Sequence, residues 1–397
     1  MSYTSYSTRR SGPVSRGRHF APSRRPTKRG HGEYIDPSRF VKAARPVTEE
    51  VYVPANTFDD FAADDIIKRN LIAKGYVLPS PIQDKTIPLA LAGSDIIGIA
   101  NTGTGKTAAF AVPVINRLIT TDSRALIIAP TRELAQQIEQ EFRSIGKGSG
   151  LFGALLIGGA NITPQLKALR GNPELVIGTP GRIKDHLDRR TLDLSKFNMV
   201  VLDEVDRMLD MGFVNDVSSI LDQLAADRQS FYFSATMDSR VRGLIDTFAN
   251  DPVLVTVKTG DTSDSVNQDV IRFSGAEDKM AKLHDTLLIP GIKAIVFDET
   301  QRRVEKLGKD LAARGFEVDA IHGGKSQGQR QRALDRFKHN QVNILVATDV
   351  AARGIDVVDI THVINYAQPQ SYQDYVHRIG RAGRAGRVGY ALTFVEQ

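Results

Sequence analysis

Residues 95–107 read DIIGIANTGTGKT. Ile96 to Ile99 make the short unbroken apolar run of a strand buried on both faces. Two glycines, Gly103 and Gly105, interrupt it, and from Thr107 the chain restarts in helical rhythm through Ala108, Ala109 and Phe110. Strand, glycine-rich loop and helix in that order make a cradle for phosphate, because glycines let backbone N–H groups wrap an anion while the new helix aims its positive dipole end at it. In this reading Thr102, Gly103, Thr104 and Gly105 line the phosphates, Lys106 reaches the β- and γ-phosphates, and the Thr107 hydroxyl holds Mg²⁺. Ala100 stands at the first glycine of the GxxxxGK[ST] pattern, a small-for-small change. The competing reading, a chance Gly/Thr turn, has little weight between a strand and a helix.

About a hundred residues on, MVVLDEVD at 199–206 carries two adjacent carboxylates off the end of a second apolar run. Parallel-sheet proteins bind ligands at the carboxyl ends of their strands. Asp203 suits the orientation of hydrated Mg²⁺, and Glu204 the polarisation of an attacking water. An acidic tetrapeptide alone is usually a solvated face. Following a buried strand and a phosphate loop, it points to nucleoside triphosphate hydrolysis.

Working outward, the rest of the chain alternates short apolar runs with helical periodicity. The runs 95–100, 125–129, 153–157, 175–178, 199–203 and 230–234 form one series, and 294–297, 317–321, 342–346, 362–364 and 390–395 a second. This is the pattern of a parallel sheet covered by helices on both faces. At 397 residues the chain exceeds the roughly 250–300 at which single cores stop growing, so the expected fold class is α/β with two tandem doubly wound parallel-sheet domains and a cleft between them. The polar stretch KTGDTSDSVN, 258–267, reads as the linker between a domain at 51–257 and one at 268–397. Only the first half holds a phosphate loop.

The net charge of +6 sits unevenly. Residues 1–50 carry eleven basic and four acidic side chains, against 41 and 42 in the remainder. Residues 1–30 hold no acidic residue, are dominated by Ser and Arg, and read with the rest of 1–50 as a disordered tail. Tyr3, Tyr6 and Phe20 among the arginines offer stacking rings beside phosphate-neutralising charge, which favours contact with nucleic acid over a merely solubilising role. There is no Cys, so disulfides and thiolate metal sites are excluded. With no bilayer-length apolar run and no signal-like segment, the cytoplasm is the expected compartment.

In the order they occur, these motifs resemble those of the DEAD-box RNA helicases, from about Phe58 to residue 397. Phe58, Gly75 and the string PSPIQ ending at Gln83 are similar to the family's adenine-recognition motif. The resemblance implies that Phe58 packs on the base and Gln83 reads its edge, which selects ATP. PTREL at 130–134, Gly158 with Gly159, and TPGR at 179–182 match motifs that grip RNA, implying contacts from Pro130, Thr131, Arg132, Gly159, Thr179, Pro180, Gly181 and Arg182. In the second half HGG at 322–324, Gln327 with Arg330, and ATDVAARGID at 347–356 imply RNA contacts from Gly323, Gln327, Arg330, Thr348 and Arg353, with Gly354 and Asp356 nearer the nucleotide. HRIGRAGR at 377–384 implies that Arg381 and Arg384 cross the cleft to the γ-phosphate. Ser234, Ala235 and Thr236, with Asp206, imply a coupling between the carboxylate site and His377.

Three departures from the family pattern stand out. Val205 replaces the family's alanine and adds two methyl groups, expected near the Mg²⁺ shell. Asp298 puts a carboxylate where the family is more often neutral, which predicts a weaker grip on phosphates. The sequence ends just after GYALTFV, which predicts a less stable edge of the second domain and favours a monomer. The implied activity is RNA-dependent ATP hydrolysis coupled to cleft closure, local duplex unwinding and remodelling of RNA or RNA–protein complexes. An ATP-dependent RNA clamp with little unwinding and a DNA translocase remain open alternatives at this point.

Overall fold

The computed structural model describes residues 35–44, 52–101, 103–257, 264–352, 357, 359–383 and 387–397. Thr102, Arg353, Gly354, Asp356, Arg384, the tail before residue 35 and the linker stretch 258–263 therefore lie outside the described residues.

In the first unit the strands are β1 (Ile96–Ile99), β2 (Ala125–Ile128), β3 (Gly153–Leu156), β4 (Leu175–Gly178), β5 (Met199–Asp203), β6 (Gln229–Ser234) and β7 (Val253–Thr256). Helices α1 (Asp65–Ala73) and α2 (Pro81–Leu91) precede β1. Between the strands run α3 (Lys106–Thr120), α4 (Arg132–Ile145), α5 (Ile162–Arg170), α6 (Pro180–Asp188), α7 (Val205–Asp210), α8 (Val214–Leu221) and α9 (Ser239–Phe248). The second unit runs β8 (Val266–Phe273), α10 (Gly275–Leu287), β9 (Ala294–Phe297), α11 (Gln301–Ala313), β10 (Val318–Ile321), α12 (Gln327–Lys338), β11 (Ile344–Ala347), α13 (Asp349–Ala352), β12 (His362–Asn365), α14 (Tyr372–Ile379) and β13 (Gly389–Glu396).

Both sheets are parallel throughout, in the orders β3-β4-β2-β5-β6-β1-β7 and β10-β11-β9-β12-β13-β8. The unbroken apolar runs follow from burial on both faces. Successive residues of β5 feed opposite cores, Met199 and Val201 on one side of the sheet and Val200 and Leu202 on the other. This strand order places β5, β6 and β1 side by side. In register, Ile99 faces Ser234 and Asp203 faces Phe233, so the chain leaves all three strands at one edge of the sheet, where the phosphate loop, Glu204 and Ala235 follow.

The structure corrects the sequence reading in several places. The tail is shorter than 1–50, because Ile35–Ala44 pack on the second unit and Phe40 is fully buried there. The linker ends earlier than residue 267, because β8 starts at Val266 and runs eight residues beside β13. Neither β7 nor β8 belongs to the expected strand series: β7 is mostly exposed, and β8, with Asn267, Gln268 and Asp269 in a row, lacks the unbroken apolar run of the inner strands. The strand GYALTFV is not an edge. β13 lies between β12 and β8, and β8 is partly covered by an antiparallel bridge from Lys42 to Gln268, one of the devices that protect a sheet margin.

Candidate active site between the two domains

The phosphate loop is held from below by α2. Ser80 and Gln83 form a capping box at its start, Ser80 Oγ donates to the Thr104 carbonyl at 2.7 Å, and Gln83 Nε2 donates to the Gly105 carbonyl at 3.0 Å. Gly105 takes a left-handed φ of 89°, and a Cβ there would collide with the Gln83 amide, so only glycine fits. Lys106, 6% exposed, donates from Nζ to the Ala100 carbonyl at 2.9 Å. Thr104 Oγ1 donates to the Asn101 carbonyl, and Thr107 follows in the first turn of α3.

Gln83 and Phe58 stand differently from what the family resemblance implies. Gln83 is 2% exposed, with its amide oxygen accepting from Ser80 N–H and its nitrogen on the loop. Phe58 is 4% exposed and packs edge-on against Phe61 and Tyr76, so it supports the first domain's core and leaves little ring for a base.

Asp203 is fully enclosed. Burial drives its carboxyl up to about 7, against the pull of the Lys106 ammonium and with the repulsion of Glu204. Glu204 has the left-handed backbone that opens α7. Val205, expected beside the metal shell, instead lies fully buried in the core with Leu202, Met208 and Val241. Its two methyl groups fill that core, and Val205 is absent from the lining of the cavity that Glu204 and Asp206 face. Asp298 is likewise engaged internally: it is 2% exposed, pairs with Arg303 at 2.9 Å and accepts from Glu299 N–H, while burial raises its pKa.

A relay leads from this centre to the second domain. Asp206 Oδ2 accepts from Thr236 N–H and Oγ1 at 3.2 and 3.1 Å, and Asp206 N–H donates to Ser234 Oγ at 3.3 Å. Asp206 Oδ1 accepts from Arg207 N–H, and Arg207 Nη1 reaches His377 Nδ1 at 2.9 Å. Burial first, and the Arg207 charge second, hold His377 below the usual imidazole range, so it is neutral and can accept that bond. A cavity of about 280 Å³ between the domains is lined by Lys106, Glu204 and Asp206 from one side and by Gln373, His377 and Arg381 from the other, with Ala235 and Thr236 at its wall. Arg207 and Gln373 escaped the sequence reading. The signal for Gln373 was helical spacing, since 373, 377 and 380/381 share one face of α14 and its continuation.

A second cavity, of about 460 Å³, takes in Pro130, Thr131, Arg132, Gly158, Thr179, Gly181 and Arg182 from the first domain and Gly323, Arg330 and Val350 from the second. Arg132 lies over the glycine pair, and at Gly159, with φ 69°, a Cβ would overlap the guanidinium. Pro180 opens α6, and Thr131 Oγ1 caps α4 by accepting from Leu134 N–H. Thr348, 8% exposed, follows β11. Gln327 and Arg330, implied to contact RNA, also bond across the cleft, and Arg330 lines this cavity. α12 begins with a Ser326–Gln329 capping box and points both across the cleft. Arg330 pairs with Glu133 at 2.7 Å, and Gln327 Nε2 donates to Gln136 Oε1 at 2.8 Å and approaches Glu133 Oε1 at 3.4 Å. They join the domains to each other. Glu133, within PTREL, was not singled out from the sequence. Arg378 was also missed: 3% exposed, it holds Asp349 through Nε and Nη2 at 2.6 and 2.8 Å and fixes α14 to α13.

A phosphate loop and carboxylate pair on one parallel-sheet domain, faced by an arginine from a second such domain, define a split nucleotide-hydrolysis site of the helicase type. Residues 80–244 match the family described as DEAD/DEAH box helicase, and residues 278–386 match the helicase conserved C-terminal domain. The chain is 44% identical over 344 residues to the ATP-dependent RNA helicase CshA of Listeria monocytogenes, covering 85% of this chain and 66% of that protein. It is equally similar to the DEAD-box ATP-dependent RNA helicase CshA of Geobacillus kaustophilus, covering 85% and 73%. It therefore spans about two thirds to three quarters of the length of these relatives. Among solved structures, S. cerevisiae Dbp5 bound to RNA and ADP BeF3 matches with TM-score 0.77 at 30% identity, covering 86% of this chain and 90% of that one. Mss116p bound to ssRNA and AMP-PNP matches with TM-score 0.77 at 30% identity, covering 87% and 77%. The chain belongs to the DEAD-box family of ATP-dependent RNA helicases.

Proposed function

We propose that the chain hydrolyses ATP only when single-stranded RNA helps close its cleft, and that closure on one strand pries off its partner locally. One observation carries this reading: Lys106 and Glu204 from the first domain and Arg381 from the second line a single cavity. Neither domain alone has a complete site, so ligands that bridge the cleft bind the closed state better than the open one. The likeness to two relatives bound to RNA and ATP analogues supports reading this arrangement as the engaged one.

In the closed cleft Lys106 turns from the Ala100 carbonyl to the phosphates, and Glu204 polarises a water whose oxygen bonds to the γ-phosphorus as the bridging bond to ADP breaks. Arg381 spreads its charge over the transferring group, joined by Arg384 in the family's pattern, an effect worth roughly 10³–10⁵ in rate. Asp203 and Thr107 fit a Mg²⁺ ion, since an enclosed carboxyl driven up to about 7 favours a cation beside it. That ion would supply charge neutralisation on the β- and γ-phosphates. The RNA is met by the cavity that Arg132, Thr179 and Arg182 line, through backbone contacts that carry little base information. We further place the protein in the cytoplasm, as a monomer that meets RNA within RNA–protein complexes; no helix of the described residues is long and apolar enough to cross a membrane.

Steady-state hydrolysis measured without nucleic acid, with single-stranded RNA and with single-stranded DNA, followed by release of a labelled short duplex, tests the proposal. RNA should stimulate and DNA should not, and Glu204→Gln should lower kcat at least about 100-fold. Equal stimulation by DNA would mark a DNA translocase, and stimulation without strand release a clamp.

A further inference from the structure

The segment before the first domain is seated on both domains. On the second, Ile35 and Phe40 are buried in the core, the Phe40 ring lies 4.7 Å from that of Tyr375, and the Arg39 guanidinium sits 3.9 Å above Tyr372. Lys42 exchanges two backbone hydrogen bonds with Gln268 at 3.0 and 2.8 Å, its ammonium pairs with Asp264 at 2.6 Å, and Ala44 N–H donates to Asn267 Oδ1 at 2.7 Å. On the first domain, Tyr52 OH and Ala55 N–H donate to Asp84 Oδ2 at 2.5 and 2.8 Å, and Asn56 donates to Oδ1 from N–H and Nδ2 at 3.1 and 2.8 Å. Burial alone would raise Asp84, but these donors outweigh it and hold the carboxyl below its usual range. Asp84 is in the first turn of α2, next to the Gln83 that grips the phosphate loop.

The main chain thus passes between the domains twice, through residues 45–51 and again through 258–263. Both crossings meet the second domain at one spot, because Lys42 and Ala44 touch Asp264 and Asn267, where the later crossing enters β8. A single tether lets a domain both swing and swivel about it. A second tether that converges on the same spot leaves that spot as a pivot but limits how far it can travel from the first domain. The eight residue steps from Ala44 to Tyr52 reach at most about 28 Å, enough to open the cleft but not to part the domains widely.

We propose that residues 35–56 are an interdomain strap, which stays seated on both domains as the cleft opens and confines the open arrangements to those from which closure realigns Arg381 with Lys106 and Glu204. The spread of domain positions without ligand reports the strap, so the inference does not depend on what hydrolysis drives.

The test slackens the strap without touching either seat, by inserting about 20 Gly/Ser residues between Pro46 and Val47. The chain has no Cys, so spin labels at Lys196→Cys and Arg314→Cys, one exposed site per domain, report the interdomain distance distribution in the full-length protein. The ligand-free distribution should broaden about twofold, and the RNA concentration for half-maximal hydrolysis should rise about three- to tenfold, with kcat at saturating RNA unchanged. Deleting residues 1–34 keeps the strap and should keep the narrow distribution. An unchanged distribution in the insertion variant overturns the strap, whatever hydrolysis does. A narrow wild-type distribution that broadens on insertion, in a protein whose hydrolysis ignores RNA, upholds the strap and sinks the helicase mechanism instead.

Discussion

Glu204 has φ 54° and ψ 55°, left-handed backbone that costs a non-glycine residue roughly 1–2 kcal/mol. The cost is tolerated because the fold holds both neighbours: Asp203 ends β5 and Val205 is sunk in the core. Strain of this kind gathers at functional positions, and here it swings the Glu204 carboxylate into the cleft. Val205→Ala should therefore lower stability by about 2 kcal/mol through a core cavity while leaving kcat within twofold, as read by thermal melting beside hydrolysis at saturating RNA. A rise in kcat with stability unchanged would return Val205 to the metal shell. Asp203 supplies a pH signature. Its folded pKa, about 7, lies above the unfolded value. The folded state thus holds a proton that the unfolded state has released, and stability falls as pH rises from about 4 through 7. Ligand-free melting temperature should decline over that window in the wild type and less steeply in Asp203→Asn. Parallel curves would contradict the burial argument.

At the scale of elements, the helices act as aiming devices. α12 starts at a capping box that directs Gln327 and Arg330 across the cleft, and α4 starts at the Thr131 cap that sets Glu133 to meet them. The pair is nearly water-free, with Arg330 and Glu133 side chains 6% and 1% exposed, and it forms only when the domains meet. Glu133→Ala should cost closure about 2 kcal/mol or more, raising the RNA concentration for half-maximal hydrolysis roughly 30-fold. The double change with Arg330→Ala should recover part of that loss, because it removes the stranded charge. A double variant as impaired as the two single losses combined would mean the residues act separately, on RNA. None of this was readable from spacing alone: PTREL and Gln327–Arg330 are almost 200 residues apart, and each contains side chains that suit RNA equally well.

For the whole molecule, the boundary of the basic tail changes the deletion that isolates it. Removing residues 1–34 takes away eight Lys and Arg residues and leaves the seated segment intact. RNA affinity should weaken and its salt dependence flatten, with saturating turnover unchanged, because phosphate neutralisation contributes in proportion to the charges removed. Equal salt slopes for the two proteins would leave the tail without an RNA role. A deletion reaching residue 40 would also strip Phe40 from the second domain's core, confounding charge with stability. The packed segment was illegible in sequence because PSRFVKAA has one large aromatic and no sustained periodicity. Its partners, Tyr375 and Gln268, are more than 200 residues away.

Local order in the chain was enough to specify two parallel α/β domains, the phosphate loop at Gly103–Thr107 and the carboxylates at Asp203 and Glu204, because strand periodicity and loop chemistry depend on near neighbours. The resemblance of HRIGRAGR to the DEAD-box motifs, rather than local order, implied Arg381 as the partner of that site. Only the tertiary structure decided that Val205 faces the core, that Glu133 holds Gln327 and Arg330, that Arg207 carries the link from Asp206 to His377, and that the segment before residue 56 spans both domains. Each of these depends on which faces meet after the sheets have formed, a long-range outcome of packing that no stretch of neighbouring residues encodes.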